Sequence, residues 1–454
     1  MAFFMTSTAS RSTPAAGPVA PGPRTVSVTT ATAIAVADMI GIGVFTSLGF
    51  QLISIPSGFA ILMLWIVGGL AALAGALAYA ELAVTFPRSG GEYNFLSRIY
   101  HPALGFMAGW ISATVGFAAP VALAAMAFGE YFAGVVPGAP PLLLGLAVAW
   151  GVTLVHFLGV RTGSTFQNLA TLIKVALIVV FICVGFSVAE PQPISFLPQP
   201  GDLGYILSAP FAVSLVFVMY SYSGWNAATY IAGDVKDPER SLPVAMLVAT
   251  LAVLVLYVLL NAVFLYTTPI AAMTGQLNVA QVAGEHIFGA TGGRVVAGLI
   301  CIGLVSAISA MMWIGPRVTV AMGEDFPLLG IFSHRSAKGV PVAALSLQIG
   351  VVTLLLLTQS FEAVLDFIQF SLTLCSFLAV LGVIVLRIQR PDLPRPYKVW
   401  GYPVTPLVFL GVTGFMMYYL VSERPTQSLA SLALMASGLV LFFLSRRGAQ
   451  EAAL

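Results

Sequence analysis

Apolar runs long enough to cross a bilayer recur along almost the whole of this chain, and that repetition leaves few folds open to it. Of 454 residues, 59% are hydrophobic and only 8% are charged, whereas a soluble domain carries about 25% charged residues. A water-facing surface of this size cannot be built from so few charges. A membrane-spanning helix needs roughly 20 consecutive apolar residues, and hydropathy predicts about 12 such spans. Their expected limits are 28–53, 59–86, 103–135, 140–159, 164–188, 206–233, 242–268, 294–322, 341–358, 362–388, 401–421 and 427–445. The long third and eighth spans suggest tilt.

Charge placement sets an expected orientation. With the N-terminus in the cytoplasm, 16 of the 19 Lys and Arg residues fall on the inner side, Arg294 and Arg424 fall outside, and Lys174 lies within a span. Inner loops of membrane proteins carry such an excess of Lys and Arg, so both termini are expected inside, at a plasma (inner) membrane. Residues 1–27 are rich in Ser, Thr, Pro, Ala and Gly and lack the apolar core of a cleaved signal. They read as a disordered cytoplasmic tail. Connections are short, and the outer segment 269–293 is the longest candidate for an external lid.

Several function classes are disfavoured. The formal net charge of +2 gives no reason to expect nucleic acid as a partner. Cys183, Cys301 and Cys375 all fall in apolar runs, and His101, His156, His286 and His334 are far apart. No metal-ligand spacing results, no cofactor is expected, and no nucleophile–base pattern of an enzyme is found.

Two spans carry helix-breaking clusters near mid-membrane: Ala37-Asp38-Met39-Ile40-Gly41-Ile42-Gly43-Val44-Phe45 in the first, and Met219-Tyr220-Ser221-Tyr222-Ser223-Gly224-Trp225-Asn226 in the sixth. Glycine weakens a helix by roughly 1 kcal/mol relative to alanine, and serine and asparagine offer the backbone local partners. Taken alone, Gly41-x-Gly43 also suits close helix packing. Two clusters about 180 residues apart, each heading a group of five spans, match inverted repeats with a binding site at their interface. Unwound backbone at membrane depth is tolerated where it faces protein or a watery cavity. Half-helix N-termini there suit an anionic group, and freed carbonyls suit an ammonium, so a zwitterion fits.

At these residues the chain resembles the amino acid–polyamine–organocation transporter superfamily, most nearly its L-type and bacterial amino acid permeases. Gly41-Ile42-Gly43-Val44-Phe45 resembles that family's Gly-Ser-Gly-Ile-Phe. Pro87-Arg88-Ser89-Gly90-Gly91-Glu92-Tyr93 resembles its Pro-x-x-Gly-Gly-x-Tyr, continued by Gly105-Phe106 and Gly109-Trp110. Gln167-Asn168 followed by Lys174 resembles the fifth-helix pattern. Asp234-Val235-Lys236-Asp237-Pro238-Glu239-Arg240 and Arg395-Pro396-Tyr397-Lys398-Val399-Trp400-Gly401-Tyr402-Pro403 resemble later signatures. The motifs are collinear from about Thr29 to the last span.

The resemblance implies an all-α fold with discontinuous first and sixth helices: a first inverted repeat over 28–188, a second over 206–388, and peripheral helices over 401–445. It implies that the N–H groups of Ile42 and Gly43 hold a substrate carboxylate, and that the carbonyls of Met39, Tyr220 and Ser223 face its amine. Ile40, Gly41, Ser221 and Gly224 complete the two breaks and are counted with the substrate-binding residues. Tyr220 stands where the family has an aromatic gate, and Trp225 and Asn226 line or support the pocket. Three departures stand out. Ile42 replaces a Ser or Thr, Ser223 replaces a frequent Gly, and Asp38 stands where an uncharged residue is usual.

Lys174 lies about ten residues into its span, or about 15 Å at 1.5 Å per residue, near the centre of a core about 30 Å thick. A charge there costs about 2.5–3.5 kcal/mol on insertion scales. The resemblance places this lysine where sodium-coupled relatives hold sodium, touching Gly41 and one of Ser306 or Ser309, and so implies sodium-independent transport by exchange or proton coupling. Asp38 could pair with Lys174, contact a substrate ammonium, carry a proton or cap the broken helix. Asp366 reads as lying near the outer end beside Glu362, while Glu81 and Glu130 read as interfacial. Neutral L-amino acids are the expected substrates, with cationic amino acids, amines or polyamines as the alternative through Asp38. A channel or membrane enzyme is the distant alternative. Val136-Pro137-Gly138-Ala139-Pro140 between the third and fourth spans holds no cysteine, so no disulfide-linked heavy chain is expected.

Overall fold

The structure, a computed structural model, describes residues 26–87, 90–159, 164–188 and 191–451. The expected tail therefore lies almost wholly outside the described residues, as do Arg88 and Arg161. Within them the chain is built of helices. The first segment comprises α1 (Val28–Met39) and α2 (Gly43–Gln51), followed by α3 (Gly58–Thr85), α4 (Glu92–Ile99) and α5 (Pro102–Ile111). Next come α6 (Ala118–Val135), α7 (Pro141–Phe157), α8 (Ser164–Gly185), α9 (Asp202–Ile206) and α10 (Ala209–Ser221). The second half runs through α11 (Pro238–Thr267), α12 (Ile270–Met273), α13 (Val279–Asp325), α14 (Val342–Leu357), α15 (Phe361–Gln389), α16 (Val404–Glu423) and α17 (Pro425–Glu451).

Among the described residues, eight helical segments are long and apolar enough to cross a membrane, and four shorter apolar helices accompany them. α3 packs lengthwise on α11, α6 on α13, and α1 on α11. α3 carries many buried small residues, among them Ala71, Ala72, Ala76 and Ala80. Small residues let backbones approach closely where lipid provides no hydrophobic drive between helices.

Two expectations about boundaries are corrected. The segment 269–293 is not an open loop. α12 and the first part of α13 make it largely helical, with Val279, Ala280 and Ala283 fully buried. Its polar residues and Gly-rich stretch hide the helix in a hydropathy profile. A sharp bend at Gly289 (φ 76°, ψ 175°) separates this stretch from the long remainder of α13. The third span is continuous in length but interrupted by a π-helical turn, Ser112–Gly116, between α5 and α6. Such turns leave the regular ladder and are frequent at functional sites.

Glu81, expected at an interface, is buried near the end of α3. Arg387 of α15 donates to both of its oxygens (3.2 and 2.6 Å), and the Val399 N–H donates at 2.7 Å. Arg395 stands 3.6 Å away and also donates to the carbonyls of Leu386 and Arg390 at the end of α15. The Arg395–Pro403 signature thus closes a helix C-terminus, whose last carbonyls lack helical partners. At the opposite end of α15, Arg424 pairs with Glu362 and stands 3.4 Å from buried Asp366. Glu130 is exposed near the end of α6.

Candidate functional site at the two helix breaks

Both expected breaks are present. α1 ends at Met39, Ile40 leaves helical geometry (φ −77°, ψ 71°), and α2 begins at Gly43. α10 ends at Ser221 and passes through a turn into a 3-10 helix, Ala227–Asp234. Two glycines bring the breaks together. A Cβ on Gly43 would lie 2.4 Å from Ser221 Oγ and 2.7 Å from Ser221 Cα. Gly224 has φ +105°, and a Cβ there would lie 2.7 Å from Asp38 Oδ2. Both distances are below van der Waals contact, so these positions hold α2 against α10 and Asp38 against the second turn.

Backbone carbonyls released by the breaks are met by side chains. Lys174 Nζ donates to the carbonyls of Ile40 (2.6 Å) and Ala37 (3.3 Å). Tyr257 Oη donates to Met39 (2.6 Å). The Ser223 hydroxyl and N–H both donate to Tyr220 (2.6 and 3.0 Å). Buried carbonyls without partners are costly in a bilayer, and these bonds remove that cost. They also alter the expected division of labour, because the Met39 and Tyr220 carbonyls already accept hydrogen bonds. Lys174 meets the first segment at Ala37 and Ile40 rather than through a hydrogen bond to Gly41. Its stem packs on Gly303 of α13, and Gly41 shares a narrow crevice with it. Ser306 and Ser309 are buried on the same helix, and Ser309 Oγ lies 3.1 Å from His156 Nε2. The side chains of Gln167 and Asn168 lie outside the described residues.

A cavity of about 130 Å³ lies where Asp38 meets the second turn. A single water needs only about 10–15 Å³ by the same measure, so this space suits a small solute. Of the expected site residues, Asp38, Ser223, Gly224, Trp225 and Asn226 line it. Met39, Ile40, Gly41, Ile42, Gly43, Tyr220 and Ser221 do not. The Ser221 hydroxyl is turned to Phe217 O (2.7 Å) and Ser47 Oγ (3.1 Å). Tyr220 is buried with its ring 6.5 Å from Phe361, beside a stack in which Phe50 lies 5.3 Å from Phe217 and 5.7 Å from Phe361. This aromatic layer belongs to the α2 and α10 halves of the broken helices. The cavity lies at the C-terminal ends of α1 and α10, lined there by Asp38, Met219 and residues 223–226, with Tyr230 from the 3-10 helix.

Other contributors do not stand out in the sequence. The π-turn supplies Ser112 and Gly116 to the cavity, and α15 supplies Gln369 and Thr373. Glu92 lies just behind it and is buried. It accepts from Tyr79 Oη (2.9 Å), Asn226 Nδ2 (3.0 Å) and Tyr230 Oη (2.6 Å). Asn226 and Tyr230 both line the cavity, so Glu92 fixes its wall. The only sequence signal for it is its place after Gly90-Gly91. Among the described residues no cluster of His, Cys, Asp and Glu could hold a metal ion.

Known proteins share this chain's pattern over nearly its whole length. Residues 26–444 match the family model described as amino acid permease. The chain is 28% identical over 423 residues to the b(0,+)-type amino acid transporter 1 of Mus musculus, covering 90% of this chain and 85% of that protein. It is 27% identical over 434 residues to the large neutral amino acids transporter small subunit 2 of Mus musculus, covering 92% and 80%. It is 24% identical over 390 residues to the serine/threonine exchanger SteT of Bacillus subtilis (strain 168), covering 85% and 88%. With the family match running from before the first break to the last apolar helix, the chain belongs to the amino acid permease family of the amino acid–polyamine–organocation superfamily and is a multi-pass membrane transporter, not an enzyme.

Proposed function

We propose that this permease is a secondary carrier that moves amino acids by alternating access, without sodium, by exchange or proton coupling. The observation that carries this reading is the Lys174 ammonium seated on the carbonyls of Ala37 and Ile40. A fixed cation at the broken first helix occupies the carbonyls that a mobile cation would otherwise need. In this reading the twelve apolar spans form two inverted five-helix repeats, 28–188 and 206–388, with peripheral helices over 401–445. Both termini face the cytoplasm of a plasma membrane. The cavity beside Asp38 then lies on the cytoplasmic side, and the Phe50–Phe217–Phe361 layer with Tyr220 closes the outer side.

The N–H groups of Ile42 and Gly43, at the start of α2, would receive the substrate carboxylate when the two halves rearrange. The first N–H groups of a helix have no partner within it and favour negative charge. That two-ended site suits a neutral amino acid, as the names of two relatives, for large neutral amino acids and for serine and threonine, also suggest. A solute with an additional positive charge would be favoured by the carboxylate of Asp38. No disulfide-linked heavy chain is needed in this reading, since the connection between α6 and α7 holds no cysteine.

The test is uptake of radiolabelled amino acids, neutral and cationic, into liposomes holding the purified protein. Uptake is expected to proceed equally in sodium and choline buffers and to be lost in Lys174→Ala. A requirement for sodium, or full activity in Lys174→Ala, would overturn the proposal.

A further inference from the structure

At the end of α15 that carries the aromatic layer, one buried carboxylate accepts no hydrogen bond. The Asp366 side chain is only 1% exposed, and neither of its oxygens is reached by a donor among the described residues. A buried carboxylate without donors is costly, and an ionisable group within a membrane span signals function by default. Glu362 lies four residues earlier on the same face of α15, roughly 6 Å along the helix. Arg424, at the junction of α16 and α17, donates from Nη2 to Glu362, while its Nε stands 3.4 Å from Asp366 Oδ2 without a hydrogen bond. α3, α10, α16 and the first half of α17, all packed on α15, carry no Lys or Arg. One guanidinium therefore serves two carboxylates. It is bonded to Glu362, whose side chain is 38% exposed, and not to the buried one, where a charge-assisted hydrogen bond is stronger.

The backbone of Arg424 is held from both sides. Its N–H donates to Leu420 O at 2.9 Å, and its carbonyl accepts from the Ser428 N–H at 3.1 Å. The partner free to shift is the first turn of α15. That turn begins at Phe361, whose ring lies 5.7 Å from Phe50 and 6.5 Å from Tyr220. Phe361, Leu365 and Gln369 follow one another at helical spacing on a second face of α15. This face runs from the aromatic layer, through fully buried Leu365, to Gln369 at the cavity.

We propose that Arg424 is a positioning residue with two seats: Glu362 holds it while the aromatic layer is closed, and Asp366 receives it when the first turn of α15 shifts and the layer parts. The inference rests on the carrier reading and deepens it by naming what sets one of its two gates. The guanidinium keeps a carboxylate in either position, so neither state strands a buried charge. Two seats one turn apart make the discrete, two-state element that a gate requires.

The test removes each seat in turn, with Glu362→Gln and Asp366→Asn, in full-length protein that carries Leu365→Cys and lacks Cys183, Cys301 and Cys375. The rate at which a maleimide labels position 365 in detergent reports how often the layer is open, whichever way the molecule faces a membrane. Glu362→Gln leaves only the buried seat and is expected to raise that rate by about threefold or more, as a shift in a two-state population. Asp366→Asn leaves only the exposed seat and is expected to lower it by a similar factor. A merely structural tie would be weakened by both substitutions and would move both rates in one direction. Rates that move together, a reversed pair of changes, or either rate unchanged would overturn the proposal. Glu362→Gln tests it alone if Asp366→Asn does not fold, since a rate that stays or falls already excludes the second seat. Absence of any amino acid transport by the parent protein in liposomes would instead sink the carrier reading, whatever the labelling shows.

Discussion

Gly224 carries two constraints at once. Its φ of +105° lies where a side chain is rarely tolerated, and the space beyond its Cα holds Asp38 Oδ2. Gly224→Ala is therefore expected to cost about 2–4 kcal/mol, from backbone strain together with overpacking, and to displace the Asp38 carboxylate. The check is a lower melting temperature in detergent together with loss of uptake. Gly43→Ala should fail similarly, and Ser221→Gly should not rescue it, because Ser221 Cα itself lies 2.7 Å from the added carbon. A rescued double variant would show that the α2–α10 approach is looser than described. At this scale the sequence is informative about where the backbone breaks and poor at saying what fills the breaks. Gly41, Gly43 and Gly224 announce themselves by type, and Lys174 by its charge in an apolar run. The partners that quench the freed carbonyls, Tyr257 above all, come from a helix more than 200 residues away. Nothing local marks Tyr257 as more than an apolar-span aromatic.

Among the elements, the joint between α3, α4, the 3-10 helix 227–234 and α15 combines polar groups that look unrelated along the chain. Glu92 gathers Tyr79 from α3, with Asn226 and Tyr230 from the segment after the second break. Glu92→Ala would leave buried donors unpaired, at a cost of about 1–3 kcal/mol for each that finds no new partner. The expected outcome is lower thermal stability and weaker substrate binding together, since the cavity wall loses its support. A variant that melts like the parent but fails to bind would place Glu92 in the substrate's path instead. Farther along α3, Glu81 and Arg387 form a second tie, closed by the Val399 N–H. A double-mutant cycle on Glu81→Gln and Arg387→Met should show a coupling of about 1–3 kcal/mol, as expected for a buried charge pair. Additive losses would mean that each side chain acts through other partners. Hydropathy places the span containing Glu81 correctly but reads its polar inner end as an interface, because a window average cannot see an arginine 306 residues away. The same averaging turns α12 and the start of α13 into an expected loop. Gly and polar residues lower the mean without preventing a helix that buries its Ala and Val face.

For the whole molecule, the cavity and the aromatic layer lie at different levels of the broken helices. Which of the two faces the cytoplasm rests on the distribution of Lys and Arg, a statistical bias on how loops are retained. The apolar spans were legible because a bilayer demands long uninterrupted runs, whereas sidedness follows from a few charges, two of which, Arg88 and Arg161, lie outside the described residues. Two exposed connections can settle it directly. Val136, between α6 and α7, is expected outside, and Ala337, between α13 and α14, is expected inside; both are exposed. Single cysteines at these positions, in a background lacking Cys183, Cys301 and Cys375, would be probed in intact cells with a membrane-impermeant maleimide. Val136→Cys should label at once, and Ala337→Cys only after permeabilisation. The reverse pattern would put the Asp38 cavity on the outer face and make the aromatic layer the inner seal, turning a carrier caught open to the cell interior into one caught open to the outside. Equal labelling of the two positions would place both connections on one side, which an odd number of crossings between them forbids and which would break the twelve-span arrangement itself.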